Sequence, residues 1–232
     1  MVQLHIDTEL FKLKQSLQDM WIIVEKQLKK TRLAFLDYDK AMARQVIARE
    51  KMVNALELKI DSECESFIAK NSPVAIDLRL VLAYINMNNN LERIGDFCES
   101  ISNYVLNHMS GKLDENFAAL LRIEEIFDCA NDMFIFAKDA LIEEDTEKAE
   151  KIFGIDNLID EIYHNSVKVI AEQIKNDVSK TEEYLLLYSV IRKLERIGDR
   201  CNNIAEEIVF YLEAKVLKHN EKEKKKIEKD FK

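Results

Sequence analysis

Apolar side chains recur every three or four residues along most of the chain, which is the spacing of one buried face on an α-helix. The pattern predicts six long helices, over about 4–36, 39–70, 73–110, 113–143, 146–176 and 181–217. The links between them are short, so consecutive helices should pack antiparallel in bundles. We therefore expect an all-α fold.

Turn and capping residues set the predicted helix ends. Ser72 and Pro73 supply a capping serine and a proline at the first position of the third helix. Ser179, with Glu182 three residues later, forms a capping box that should open the sixth helix. Nearly every residue in 218–232 is charged, so we expect a charged tail after the last helix.

One six-residue motif, LERIGD, occurs at 91–96 and returns 103 residues later at 194–199. The apolar residues around the two copies also correspond: Tyr84, Met87, Leu91, Ile94, Cys98, Ile101 and Val105 match Leu187, Val190, Leu194, Ile197, Cys201, Ile204 and Ile208. The duplication predicts two tandem three-helix bundles, 1–110 and 111–217. A glycine inside a helix costs roughly 0.5–1 kcal/mol relative to alanine. Gly95 and Gly198 therefore suggest that a neighbouring helix approaches closely.

Acidic residues form a second stripe, away from the apolar seam, on the motif helices and on the helix before each motif. The stripe residues are Glu50 with Asn54, Glu92 with Asp96, Asp156 with Asp160, and Glu195 with Asp199, followed by Asn203. Positions equally far from a turn lie level across a helix hairpin. Each half should therefore place its two pairs side by side.

Like charges four residues apart destabilise a helix unless something neutralises them. A single such pair is an ordinary solvated face, but four level pairs repeated between halves favour a cation site. Carboxylate and amide oxygens suit iron, manganese, magnesium or calcium, or zinc with carboxylate-rich coordination. We expect such a site in each half.

The histidines do not match a di-iron enzyme. Glu161 and His164 form one Glu-x-x-His motif, whereas a ferritin-like di-iron bundle uses two of them plus two further glutamates in one core. His164 is a candidate additional ligand one turn after Asp160, although a surface histidine is the simpler interpretation. The sequence has no Gly-rich phosphate loop, nucleophile elbow or Cys/His pair at catalytic spacing. We expect no enzymatic activity.

Composition and charge limit the kinds of partner and the cellular compartment that we expect. The 232-residue chain has a net charge of −9, so cations or basic surfaces suit it better than nucleic acid. Its cysteines form no CxxC pair and resemble small buried apolar residues in a reducing compartment. No run of about 18 apolar residues and no N-terminal leader pattern occurs. We expect a cytoplasmic protein that is not inserted in a membrane.

The sequence resembles the PhoU family of phosphate-transport regulatory proteins. The resemblance rests on the doubled LERIGD motif and on the stretches 46–50, 73–79 and 159–163. It implies two three-helix bundles related by a pseudo-twofold axis, with multinuclear metal clusters on the bundle surface. The Glu/Asp-x-x-x-Asp motifs that hold such clusters correspond to the four pairs named above. The resemblance points to iron or zinc, with manganese or magnesium as alternatives.

Two positions depart from the family pattern. Asn54 stands where an aspartate is usual, and Ser100 stands where the second half has Asn203. The first site is therefore expected to hold its metal more weakly, or to hold fewer ions.

The resemblance also implies a non-enzymatic role. Members of the family restrain uptake by the phosphate ABC importer and relay phosphate sufficiency to a membrane sensor histidine kinase. We expect a cytoplasmic, metal-binding homodimer that contacts the importer's ATPase subunit and the kinase. Two alternatives stay open: a carboxylate-bridged di-metal oxidoreductase and a purely structural helical scaffold.

Overall fold

The structure is a computed structural model that describes the backbone of residues 2–214 and the side chains of 6–214. The helices are α1 (Val2–Leu36), α2 (Lys40–Asn71), α3 (Ala75–Asn107), α4 (Glu115–Leu120), α5 (Ile123–Glu143), α6 (Thr146–Asn176) and α7 (Thr181–Glu213), with a single 3-10 turn at Val178–Lys180. No strand occurs in this range. The predicted all-α fold is confirmed. The predicted tail, 218–232, lies outside the described residues.

The predicted fourth helix is two helices, because the chain breaks at Arg122. This residue has a left-handed φ of 52°. Its guanidinium donates to Glu125 at 2.6 and 2.7 Å and to Glu161 of α6 at 2.8 Å. The side chain therefore holds the break against α6. The spacing of apolar residues runs through this position without interruption, so the sequence pattern does not reveal it.

Both predicted helix caps are wrong. Ser72 has φ 45° and ends α2, where its N–H donates to the Ile68 carbonyl, while Val74 precedes α3 without a side-chain cap. Asp177 caps the 3-10 turn, and the Ser179 N–H and hydroxyl donate to Asp177 Oδ1 at 3.1 and 2.5 Å. Lys180 precedes α7 without a side-chain cap. After both links the helix therefore begins without the predicted side-chain cap.

Each half of the chain is a three-helix bundle. Helices α1, α2 and α3 pack together in the first half, and α5, α6 and α7 pack together in the second. The motif helices α3 and α7 also pack on each other, as do α1 and α5, so one apolar core runs through both halves. The predicted division at residue 110 falls in the link between α3 and α4.

Helices α3 and α7 run antiparallel where they meet. Asn86 donates to Glu207 at 3.0 Å, and Arg200 and Asn203 donate to Asn90 Oδ1 at 3.5 and 3.3 Å. Residue numbers thus increase along α3 in the direction in which they decrease along α7. A pseudo-twofold axis passing between the two motif helices produces this pairing.

The apolar seams of both motif helices are buried. Leu91, Ile94, Leu194 and Ile197 have no exposed surface. Full burial of one such side chain stabilises a fold by about 1.5–3 kcal/mol. All four cysteines are free and buried, as predicted. Among the described helices, none has a stretch both apolar and long enough to span a bilayer.

Replacing Ile197 by aspartate should destabilise the C-terminal bundle, because it places a charge without a partner in the fully buried seam of α7. We expect the free energy of unfolding, measured by urea denaturation, to fall by about 4 kcal/mol or more. Leu185→Asp is the control, since that leucine lies on the same helix and is 54% exposed. A normal cooperative transition in Ile197→Asp would show that the seam is misassigned.

Candidate metal sites

The first candidate site lies where α2 packs on α3 at the motif glycine. A Cβ added at Gly95 would lie 3.2 Å from each of three side-chain atoms, Glu50 Oε2, Gln27 Oε1 and Val53 Cγ1. Such contacts are tighter than an alanine normally makes, so glycine permits the two helices to approach. The close approach predicted from the sequence is confirmed.

Glu50 is a buried carboxylate at this contact, with 4% of its surface exposed. Gln27 of α1 is fully buried and donates to Glu50 Oε2 at 2.9 Å and to the Val46 carbonyl at 3.5 Å. The second oxygen, Glu50 Oε1, is buried without a hydrogen-bond partner. Burying a carboxylate oxygen without a hydrogen bond costs free energy unless a proton or a cation binds it.

Neighbouring carboxylates add to the free-energy cost of keeping Glu50 ionised. Burial raises the pKa of Glu50 to about 7, with the Gln27 hydrogen bond lowering it and the negative charges of Asp96 and Glu99 raising it. Burial also raises the pKa of Glu92 to about 7, with Asp96 raising it and Arg93 lowering it. Glu50 and Glu92 therefore lie near enough for their charges to interact across the hairpin. The first half thus gathers Glu50, Glu57, Glu92, Asp96 and Glu99 into one electrostatic group.

The second candidate site repeats this environment at Gly198. A Cβ added there would lie 3.2 Å from Asp156 Oδ1 and Ile159 Cδ1, and 3.6 Å from Met133 Sδ. The neighbours of the two glycines correspond one to one: Gln27 to Met133, Glu50 to Asp156, and Val53 to Ile159. Each half therefore holds one carboxylate of the preceding helix against its motif glycine.

The hydrogen bond to this carboxylate comes from a different helix in the second half. Met133 cannot donate as Gln27 does, and instead Asn202 of α7 donates to Asp156 Oδ2. In the repeat, Asn202 corresponds to Glu99. The second half thus has an amide where the first half has an acid.

The reverse exchange occurs at Asn54, which corresponds to Asp160. The first site consequently contains the carboxylates Glu50, Glu57, Glu92, Asp96 and Glu99, with Asn54 at its exposed edge. The second contains Asp156, Asp160, Glu195 and Asp199 with the amide of Asn202. The acid lost from the first site at Asn54 is therefore offset by Glu99. Burial raises the pKa of Glu195, and the charges of Asp199 and Asp160 raise it further.

Three residues proposed from the sequence lie apart from these groups or at their edge. Asn203 donates across the α3/α7 junction to Asn90, so its amide binds the other half of the protein. Asn54 is exposed on α2. His164 is also exposed, and its Nδ1 donates to the Asp160 carbonyl at 2.7 Å. Within the described part of the chain, no three His, Cys, Asp or Glu side chains converge closely enough to hold one ion.

Two polar residues of the sites were missed from the sequence. Gln27 lies in the apolar seam of α1, next to Val24 and Leu28, and a polar residue at a seam position was the available signal. Asn202 lies two helical turns after Glu195, and this spacing was the signal for its place in the stripe.

The geometry defines a class of protein: two joined three-helix bundles, each with a group of carboxylates held against a motif glycine. Comparison with known proteins gives the family. The family model for the PhoU domain matches residues 17–105 and 123–208. The chain belongs to the PhoU family.

Individual relatives agree over nearly the whole chain. The sequence is 32% identical over 213 residues to the "Phosphate-specific transport system accessory protein PhoU" of Edwardsiella tarda, covering 92% of this chain and 86% of that protein. The crystal structure of PhoU from Pseudomonas aeruginosa matches with a TM-score of 0.82 at 27% identity, covering 90% of this chain and 99% of that one. The structure of the "phosphate transport system regulatory protein PhoU" from Streptococcus pneumoniae matches with a TM-score of 0.80 at 27% identity, covering 92% and 99%.

The metal-free protein should lose stability as the pH rises from about 4.5 to about 7. In this interval the folded chain keeps protons on Glu50 and Glu92, whereas the unfolded chain, with ordinary pKa values near 4.5, releases them. Because the folded state binds more protons, the free energy of unfolding falls with rising pH and levels off above pH 7. We expect a total change on the order of a few kcal/mol.

Urea unfolding of metal-stripped protein at pH 5, 6, 7 and 8 measures this slope. The double variant Glu50→Gln, Glu92→Gln is the comparison, since it removes the two carboxyls whose pKa is raised to about 7 and should make the profile shallower. Parallel profiles for wild type and variant would refute the assignment.

Proposed function

We propose that this chain is a metal-binding regulator of phosphate uptake and of phosphate-starvation signalling. Its membership of the PhoU family supports the phosphate link. The observation that carries the metal-binding part is the pair of carboxylates held against Gly95 and Gly198, with Glu50 Oε1 buried and lacking a hydrogen-bond partner. The second half repeats the carboxylate held against its glycine, and this repetition favours a ligand over chance.

The two donor sets fit a hard cation in their chemistry. Each supplies at least four carboxylates, with an amide oxygen nearby, and these are ligands for iron, manganese or magnesium and for zinc with carboxylate-rich coordination. A bound cation would supply positive charge that offsets the repulsion within each group. Since no three side chains converge on one point in the described arrangement, binding requires side-chain rotation around the carboxylate held at the glycine.

We propose further that the protein acts by contact, as a cytoplasmic homodimer between the ATPase subunit of a phosphate ABC importer and a sensor histidine kinase. The relative from Edwardsiella tarda is named as an accessory protein of the phosphate-specific transport system, and the structure from Streptococcus pneumoniae as a regulatory protein of phosphate transport. A net charge of −9 favours basic partner surfaces. A metal bound at the carboxylates would change the charge that these surfaces meet.

The two alternative functions fit the geometry less well. A di-metal oxidoreductase needs its ligands in a dry core, whereas here Asn54 is exposed and the Asp96 side chain is 36% exposed. A purely structural scaffold leaves Glu50 buried with one oxygen lacking a hydrogen bond. Metal analysis combined with an oxidase assay separates the three functions.

Metal binding should stabilise the protein, and the size of the effect should depend on the carboxylates. Chelator should lower the melting temperature of the wild type, because a cation that binds only the folded state stabilises it by mass action. The shift should shrink in Asp199→Asn and grow in Asn54→Asp. A tenfold change in affinity corresponds to about 1.4 kcal/mol, or roughly 3–6 °C in melting temperature for a chain of this size.

In metal-free protein, Asp199→Asn should be neutral or mildly stabilising, since one of several like charges has gone. Asp132→Asn is the matched control, because that exposed aspartate on α5 lies outside both sites. The metal content of each variant is measured alongside its melt. A wild-type melt that chelator leaves unchanged, with unaltered metal content in both variants, would remove the metal-binding part of the proposal.

The partner assignment predicts co-purification. Tagged protein from cells grown in high phosphate should retain the importer ATPase subunit and the histidine kinase, as detected by mass spectrometry. Low phosphate should change the amount of each partner recovered, because the proposed signal is phosphate sufficiency. Recovery of neither partner under either condition, from cells that express both, would contradict the adaptor role.

A further inference from the structure

A cationic groove lies where α7 crosses α3, on one side of the pseudo-twofold axis. It has a volume of about 300 Å³ and is lined by Phe97 of α3 and by Ser189, Arg192, Lys193 and Arg196 of α7. The four α7 residues follow one helix face, at spacings of three, one and three residues. Three of the five lining side chains are positive in a chain whose net charge is −9.

The repeat supplies an internal comparison for this groove. The pseudo-twofold axis carries it onto a second groove at the same junction, also lined by residues of α3 and α7. Corresponding residues are Ser189 and Asn86, Arg192 and Asn89, Lys193 and Asn90, and Phe97 and Arg200. The second groove contains in addition three acids, Asp61, Glu206 and Glu207. Packing of α3 on α7 therefore does not require cations at these positions, because the other copy packs with amides.

Acidic neighbours account for only part of the positive charge. Arg196 Nε lies 3.9 Å from Glu195 Oε2. Lys193 is half-buried, and its Nζ donates to neutral acceptors, the Ser189 hydroxyl at 2.5 Å and the Ser189 carbonyl at 3.3 Å. Among the described residues, no carboxylate lies within 4.0 Å of Lys193 Nζ or of the Arg192 guanidinium. Two adjacent cations thus line the groove with no acid in direct contact, and the charge of Arg192 acts on Glu195 only at longer range.

We propose that this groove binds a small phosphoryl-type oxyanion. Guanidinium groups donate two parallel hydrogen bonds to such oxygens, and an ammonium adds a compact positive charge. The Ser189 hydroxyl supplies a further donor, and Phe97 closes the groove from α3 with an apolar surface. The volume is at the lower end of small-molecule sites, which suits a single tetrahedral anion.

The test uses metal-stripped protein dialysed free of chelator, so that its outcome is independent of the carboxylate sites. Inorganic phosphate is titrated by calorimetry at constant ionic strength. Loss of one charge-assisted hydrogen bond should weaken binding about tenfold or more in Lys193→Gln and in Arg192→Gln. Lys168→Gln is the control, because it removes the same charge from an exposed position on α6. Arg192 is itself exposed, so its substitution tests binding with little risk to the fold.

A second arm separates the two sources of the phosphoryl group. Sedimentation with phosphatidylcholine vesicles, with and without phosphatidylglycerol, detects a lipid headgroup in place of the free ion. Phosphate binding that weakens in both variants assigns the site to the free anion, and vesicle binding that weakens in both, without phosphate binding, assigns it to the headgroup. Binding of neither probe, or binding unchanged in both variants while circular dichroism shows intact helices, overturns the proposal.

Discussion

The contact between a motif glycine and a carboxylate of the preceding helix fixes the geometry of each half. At Gly95 the added Cβ of any other residue would press on Glu50 and Val53, and at Gly198 it would press on Asp156 and Ile159. The missing side chain lets the helices pack closely, and in the first half the same closeness removes the Glu50 carboxylate from water. There, helix packing and carboxylate burial are one structural feature. The close packing explains why a helix interior tolerates a glycine at both places.

The two copies have diverged in detail while keeping a carboxylate of the preceding helix against each motif glycine. Gln27 donates to the buried acid in the first half, whereas Met133 in the second half leaves that role to Asn202. Acid and amide exchange places between Glu99 and Asn202, and between Asn54 and Asp160. When each sequence motif is compared on its own, only the loss of an acid at Asn54 is apparent. The structure shows that a charge removed at one position is present at another within the same group.

Periodicity was sufficient to predict most of the helices, and the repeated motif with its interior glycine predicted the two bundles and the close helix approach. It was insufficient for features that depend on a single side chain. The break at Arg122 is held by ion pairs with Glu125 and with Glu161, a residue far along the sequence. Similarly, Asn202 and Asn203 are adjacent amides of which one meets Asp156 and the other meets Asn90. Only the relative placement of α3, α6 and α7 distinguishes them.

The packing of α3 on α7 turns one duplicated unit into a protein with two kinds of surface. Each motif helix uses one face for the carboxylates near its glycine and another for the junction with its counterpart. The carboxylate groups keep the same chemistry in both copies, whereas the two junction grooves differ, one carrying Arg192 and Lys193 and the other Asn89 and Asn90. Since the fold accepts either set, the charge at the junction is set by something other than packing. A ligand or partner that binds only one groove would distinguish the two halves of this pseudo-symmetric molecule.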